Sequence, residues 1–69
     1  MAKIKIKANG DEHEVEENLK IADFLLFLKL NPKRSLVELN KKPLKFSDFE
    51  NLSLKDGDTL EIFSIVAGG

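Results

Sequence analysis

Few residues of this chain are equipped for chemistry, and most of those have a plainer role. His13 is the only histidine, which removes multi-histidine metal sites and any histidine-based dyad except one built on it. Its place in the charged run DEHEVEE predicts a solvated side chain. With no cysteine in the chain, there is no disulfide, thiolate ligand, cysteine nucleophile or bound iron–sulfur cluster. The carboxylates of DEHEVEE and KDGD lie in charge runs and turns, where solvation explains them. Asp56-Gly57-Asp58 copies the opening of a calcium loop, but TLEIF stands where the later oxygen ligands are required. Gly10 and Gly57 are lone glycines and make no phosphate cradle. No nucleophile and base stand together. The expectation is a protein that is not an enzyme, has no metal site and binds no cofactor of its own.

What survives is the final SIVAGG, Ser64 to Gly69. Gly68 and Gly69 have no side chains to pack, and ordering them costs entropy. They offer thinness instead. An extended Ala67-Gly68-Gly69 reaches about 10 Å, at about 3.3 Å per residue, and fits a channel too narrow for side chains. At its tip is a carboxylate. Such a group is inert toward nucleophiles until activated, for instance as an acyl-adenylate made by a separate ATP-using enzyme, after which the acyl group can pass to sulfur or nitrogen. That chemistry describes a substrate and carrier.

The remaining composition fits a small handle for such a tail. Sixty-nine residues make one domain, able to bury only about 60% of its unfolded surface. Eleven basic against twelve acidic residues give a net charge of −1, and no basic stripe interleaved with aromatics is visible, so nucleic acid is not an expected partner. MAKIKIKANGDEHEV has no apolar segment of signal-peptide length. The longest apolar stretch, residues 24–28, is far too short for a bilayer. These features predict a soluble, cytoplasmic protein with no membrane partner.

The elements that must carry the tail follow from periodicity. KIKIKA alternates over residues 3–8, placing Lys3, Lys5 and Lys7 opposite Ile4 and Ile6, and a second alternating run at 12–17 puts His13 and Val15 on one face. Asn9-Gly10 between them is a strong hairpin signal. From Ile21 the period changes: Ile21, Phe24, Leu25 and Leu28 form a helical stripe, with Leu26, Phe27 and Leu30 widening it. Asn18 is a candidate cap, and Asn31-Pro32 stops the helix near Leu30. SLVELN is a strand with Val37 and Leu39 opposite Glu38. The link KKPLKFSDFENLSL predicts a short edge strand at 43–46 and a helical turn at 47–50, with Phe46, Phe49, Leu52 and Leu54 competing for the core. Gly57 is a structural turn residue free to take positive φ. TLEIFSIV is the last strand, with Leu60 and Ile62 facing one way and Phe63 and Ile65 the other.

A sheet with one helix across one face satisfies these patterns, an α+β arrangement in two layers; the right-handed crossover preference is compatible with adjacent first and last strands, but the pattern alone does not dictate strand order. If the helix covers Leu60, then Phe63 and Ile65 are exposed, an apolar patch suited to protein docking.

KIKANG at the start, VELN in mid-chain and LKDGDTLEIFSIVAGG at the end together resemble the small sulfur carriers of thiamin biosynthesis, the ThiS/MoaD family of the ubiquitin-like β-grasp superfamily. The resemblance spans essentially the whole chain. It implies a mixed sheet of four to five strands on one main helix, with residues 1–66 as the β-grasp domain and 67–69 as a flexible tail. Gly69 would be the modified residue, adenylated by an E1-like, ThiF-like adenylyltransferase that uses ATP, then converted to a thiocarboxylate with sulfur from a persulfide donor enzyme. The sulfur would go to a ThiG-like thiazole synthase. Gly68 and Ala67 would give the tail access to both active sites, and Phe63, Ile65 and Val66 would bind the activating enzyme. The turn glycine of the family matches Gly57. The MoaD-type small subunit of molybdopterin synthase and tRNA-thiolation carriers share this tail. The short KLNPKRSLVELN and the proline-free FSIVAGG favour the thiamin type. An interaction module without tail chemistry is the reading from a different class, and it would tolerate an added terminal residue.

Overall fold

The computed structural model describes residues 2–65. Its first two strands, β1 (Lys3–Ala8) and β2 (Asp11–Glu16), form the expected antiparallel hairpin. Asn9 and Gly10 take φ of 51° and 87°, the left-handed pair a two-residue turn demands. The one α-helix among the described residues, α1 (Ile21–Phe27), is followed by β3 (Ser35–Leu39), a two-residue β4 (Lys42–Pro43) and β5 (Thr59–Ser64). The sheet order is β2-β1-β5-β3-β4, with β5 parallel to β1 and antiparallel to β3. The first and last strands are therefore neighbours inside the sheet.

Alternation sorts the strands into two faces. Ile6, Ala8, Val15, Val37, Leu60 and Ile62 point inward, where Ile21, Phe24 and Leu25 of α1 cover them. Phe49 and Leu54 win the competition within the link, whereas Phe46 stays exposed. The edge strand begins and ends earlier than the expected 43–46, because Asn40 and Lys41 both adopt positive φ and turn the chain back at once. The helical turn likewise falls at Phe46–Asp48, a 3-10 turn in which the Asp48 carboxylate accepts the Lys45 amide at 2.8 Å.

The helix departs from expectation at both ends. Asn18 does not cap it; Asn18 sits in a left-handed turn, and Lys20 holds the N-cap position without a side-chain bond. The first amides are satisfied across the fold instead: Ile21 donates to the Leu52 carbonyl at 3.1 Å and Ala22 to that of Phe49 at 2.8 Å. At the other end Lys29 takes φ of 64°, Leu30 donates back to Leu25, and Lys29 to Leu26. That left-handed closure stops the helix at Phe27, ahead of Pro32. Leu28 and Leu30 still pack against the core, but Leu26 and Phe27 are exposed and do not widen the buried stripe. His13 also differs from the solvated reading: it is half-buried on the inner face, edge-on to Phe24 with ring centroids 5.5 Å apart.

Candidate functional site

The site begins with how β5 is held, because β5 leads to the tail. Its backbone pairing with β1 covers only Lys7–Thr59 and Ala8–Leu60. Beyond that, the hairpin-turn residue Asn9 replaces a strand with its side chain. Its Oδ1 accepts the Ile62 amide at 2.7 Å, and its Nδ2 donates to the Ile62 carbonyl at 3.0 Å. A second turn asparagine holds the start of β5. Asn40 Oδ1 accepts the Thr59 amide at 2.9 Å, while the Asn40 backbone amide donates to the Thr59 carbonyl at 2.8 Å. At the far end the Ile65 amide donates to the Arg34 carbonyl at 2.6 Å.

The KDGD turn is built in the same way. Gly57 has φ of 88°, as expected of the turn glycine, and its amide donates to the Lys5 carbonyl. Asp56 Oδ1 accepts the Lys5 amide and Asp58 Oδ2 the Lys55 amide, each at 2.8 Å. These carboxylates are thus backbone acceptors that fold the turn, more than merely solvated charges. Among the described residues no group of three or more His, Cys, Asp or Glu side chains could hold a metal ion.

With β5 fixed, its outward residues are presented to solvent. Phe63 stands directly across from Leu36 on β3, and the two are 55% and 57% exposed; Ile65 is 51% exposed. Leu36 was not among the expected docking residues, although the alternation that buries Val37 turns it outward. The apolar surface continues around the sheet's end. An open groove of about 310 Å³ is lined mainly by apolar residues, among them Pro32, Leu36, Leu44, Phe46, Phe49 and Ile65. One step back along the strands, Glu38 faces Glu61. Phe63 and Ile65 are thus both exposed, and Ile65 shares the groove with Leu36, the cross-strand partner of Phe63. Val66, Ala67, Gly68 and Gly69 lie outside the described residues. No helix among the described residues is long and apolar enough to cross a membrane.

A five-stranded mixed sheet with one helix across it and adjacent, parallel first and last strands is the ubiquitin-like β-grasp fold. A crystal structure of the thiamine biosynthesis protein ThiS from Geobacter metallireducens superposes with a TM-score of 0.79 at 30% identity, covering 96% of this chain and all of that one. The N-terminal ubiquitin-like domain of the 4931431F19Rik protein shares the fold alone, with a TM-score of 0.57 at 23% identity over 97% of this chain and 77% of that one. The ThiS family model matches residues 1–69, and the chain belongs to the ThiS family of sulfur carriers. Two uncharacterized proteins designated ycf40 are also similar, from Porphyra purpurea at 33% and Pyropia yezoensis at 35% identity. Each comparison covers 96% of this chain and 93% of theirs.

Proposed function

We propose that this protein carries sulfur on the carboxyl group of Gly69 for thiamin thiazole synthesis. Residues 1–66 act as the handle and 67–69 as the tail that enters partner active sites. An E1-like, ThiF-like enzyme joins the Gly69 carboxylate to AMP from ATP, releasing pyrophosphate. Persulfide sulfur then displaces AMP, and a thiol cleaves the resulting sulfur–sulfur bond to leave a thiocarboxylate. A ThiG-like synthase takes the sulfur. Ala67 and Gly68 admit the tail to narrow channels, while Phe63, Ile65 and Val66 dock the activating enzyme.

The observation that carries this reading is the family match over residues 1–69. The exposed Leu36–Phe63 pair supports it, since an apolar pair left in water at the end of the strand leading to the tail suits a protein interface. The experiment is to incubate the chain with a ThiF-like enzyme, ATP and a persulfide source, and to read the intact mass. The expected result is replacement of one terminal oxygen by sulfur, lost when Gly69 is deleted. An unchanged mass with every candidate activating enzyme, together with a Gly69-deleted chain that still supports thiazole synthesis in cells, overturns it.

A further inference from the structure

Asn9 carries two duties that conflict chemically. It is the turn residue of the β1–β2 hairpin, and its side chain is the partner of Ile62 across the β1–β5 seam. Of the asparagines in the chain, it alone precedes a glycine. A glycine in that position leaves the following backbone nitrogen unhindered, and nothing in the fold crowds Gly10, where an added Cβ would meet no atom within 4 Å.

We propose that Asn9 is a site of spontaneous deamidation, held in check by its two hydrogen bonds to Ile62, and that the modification unseats β5. In the reaction the Gly10 amide nitrogen loses its proton to base and attacks Asn9 Cγ. The new nitrogen–carbon bond closes a five-membered succinimide, and the Cγ–Nδ2 bond breaks to release ammonia. One water then opens the ring at either carbonyl, leaving aspartate or isoaspartate at position 9. No oxidant or reductant takes part. In the folded chain both polar atoms of the Asn9 side chain are engaged with Ile62, so ring closure requires both bonds to be given up first.

The product cannot restore the seam. A carboxylate retains an acceptor for the Ile62 amide, but it sets a second oxygen against the Ile62 carbonyl where Nδ2 now donates. Isoaspartate also adds a methylene to the backbone of a two-residue turn. Backbone bonding between β1 and β5 ends where the Asn9 amide donates to the Leu60 carbonyl at 2.9 Å, so the Asn9 side chain is the hydrogen-bonding link from the β1 side to Ile62 among the described residues, and Phe63 follows directly. The modification site stands without the carrier reading; only its effect on docking rests on that reading.

The test compares the unmodified chain in native buffer and in denaturing urea at the same mildly alkaline pH, following ammonia loss at Asn9 by peptide mass mapping. Asn40, another turn asparagine but one followed by lysine, serves as internal control. Deamidation at Asn9 is expected to be at least about tenfold slower in the native chain, because closure must break two hydrogen bonds. Equal rates in the two conditions, or Asn40 reacting as fast as Asn9 in urea, overturn the site. A second measurement takes the Asn9→Asp variant and follows amide exchange at Leu60, Ile62 and Ser64. Faster exchange, or a variant too unstable to fold, supports the clamp. Exchange and melting equal to the parent overturn the claim that the modification unseats β5, whatever the outcome of the sulfur-transfer assay.

Discussion

The open face of the sheet has two halves, built from strands of similar length but paired on different terms. On the hairpin half, register sets Lys3 against Glu16, Lys5 against Glu14 and Lys7 against Glu12, opposite charges at every outward pair. On the half formed by β3 and β5, the outward pairs are Leu36 with Phe63 and Glu38 with Glu61. Opposite charges across strands are mildly favourable and like charges mildly unfavourable. The hairpin half is thus content in water, whereas the other half leaves an apolar pair exposed and two carboxylates face to face. Such a surface gains when a partner covers it, and it adjoins the strand that leads to the tail. The contrast marks the β3–β5 half as the side of the sheet that differs from an ordinary solvated face.

Five substitutions test that contrast, and the strongest compares the two sides of β5. Ile62 is buried against the helix, so Ile62→Ala should cost about 2–5 kcal/mol, most of the stability of so small a domain; urea denaturation measures it. Its neighbour Phe63 behaves in the opposite sense. Phe63→Asp should leave the urea midpoint near that of the parent, yet weaken association with a ThiF-like enzyme about 30-fold or more, as loss of an aromatic anchor does. Calorimetric titration that finds unchanged affinity, or a chain that no longer folds, would show that the outward face was misassigned.

The third concerns what holds that face in place. Asn9→Ala removes both bonds to Ile62 and should destabilise by about 1–3 kcal/mol, with amide exchange at Ile62 rising more than at Val15 on the far side of the hairpin. The smallest effects carry opposite signs. Lys5→Glu sets like charges across from Glu14 and should destabilise, while Glu61→Lys relieves the pair with Glu38 and should stabilise, each by about 0.2–1 kcal/mol. Both changes should shrink as salt is added. Equal signs from the two would mean that register does not control the electrostatics of this face.

Much of the fold was legible because its strands alternate cleanly. KIKIKA, Asn9-Gly10 and TLEIF specify their faces and the hairpin without help, since a strand's period of two leaves one arrangement that buries Ile6, Leu60 and Ile62. The helix stripe was legible at Ile21, Phe24 and Leu25 because spacings of three and four put them on one face of a 3.6-residue period. Its ends were not. Ile21 and Ala22 are capped by carbonyls from a segment some thirty residues away, and Lys29 takes a left-handed turn that its residue type does not favour. Asn40-Lys41 is likewise a weak turn signal next to Asn9-Gly10, and the short edge strand it sets up was misplaced. At the candidate site, Phe63 and Ile65 could be placed from β5 alone, but Leu36 joins them only through the register of β3.

The sequence by itself determined the period of each element and the outward side of β5, because these depend on neighbours one to four residues apart. Only the tertiary structure decided that Asn9 and Asn40 would serve β5 as substitute strands, that Leu36 would stand across from Phe63, and that His13 would lie against Phe24. Each of those contacts joins residues far apart in the chain, and hydrogen bonds and packing at such range depend on where the whole sheet brings the backbone.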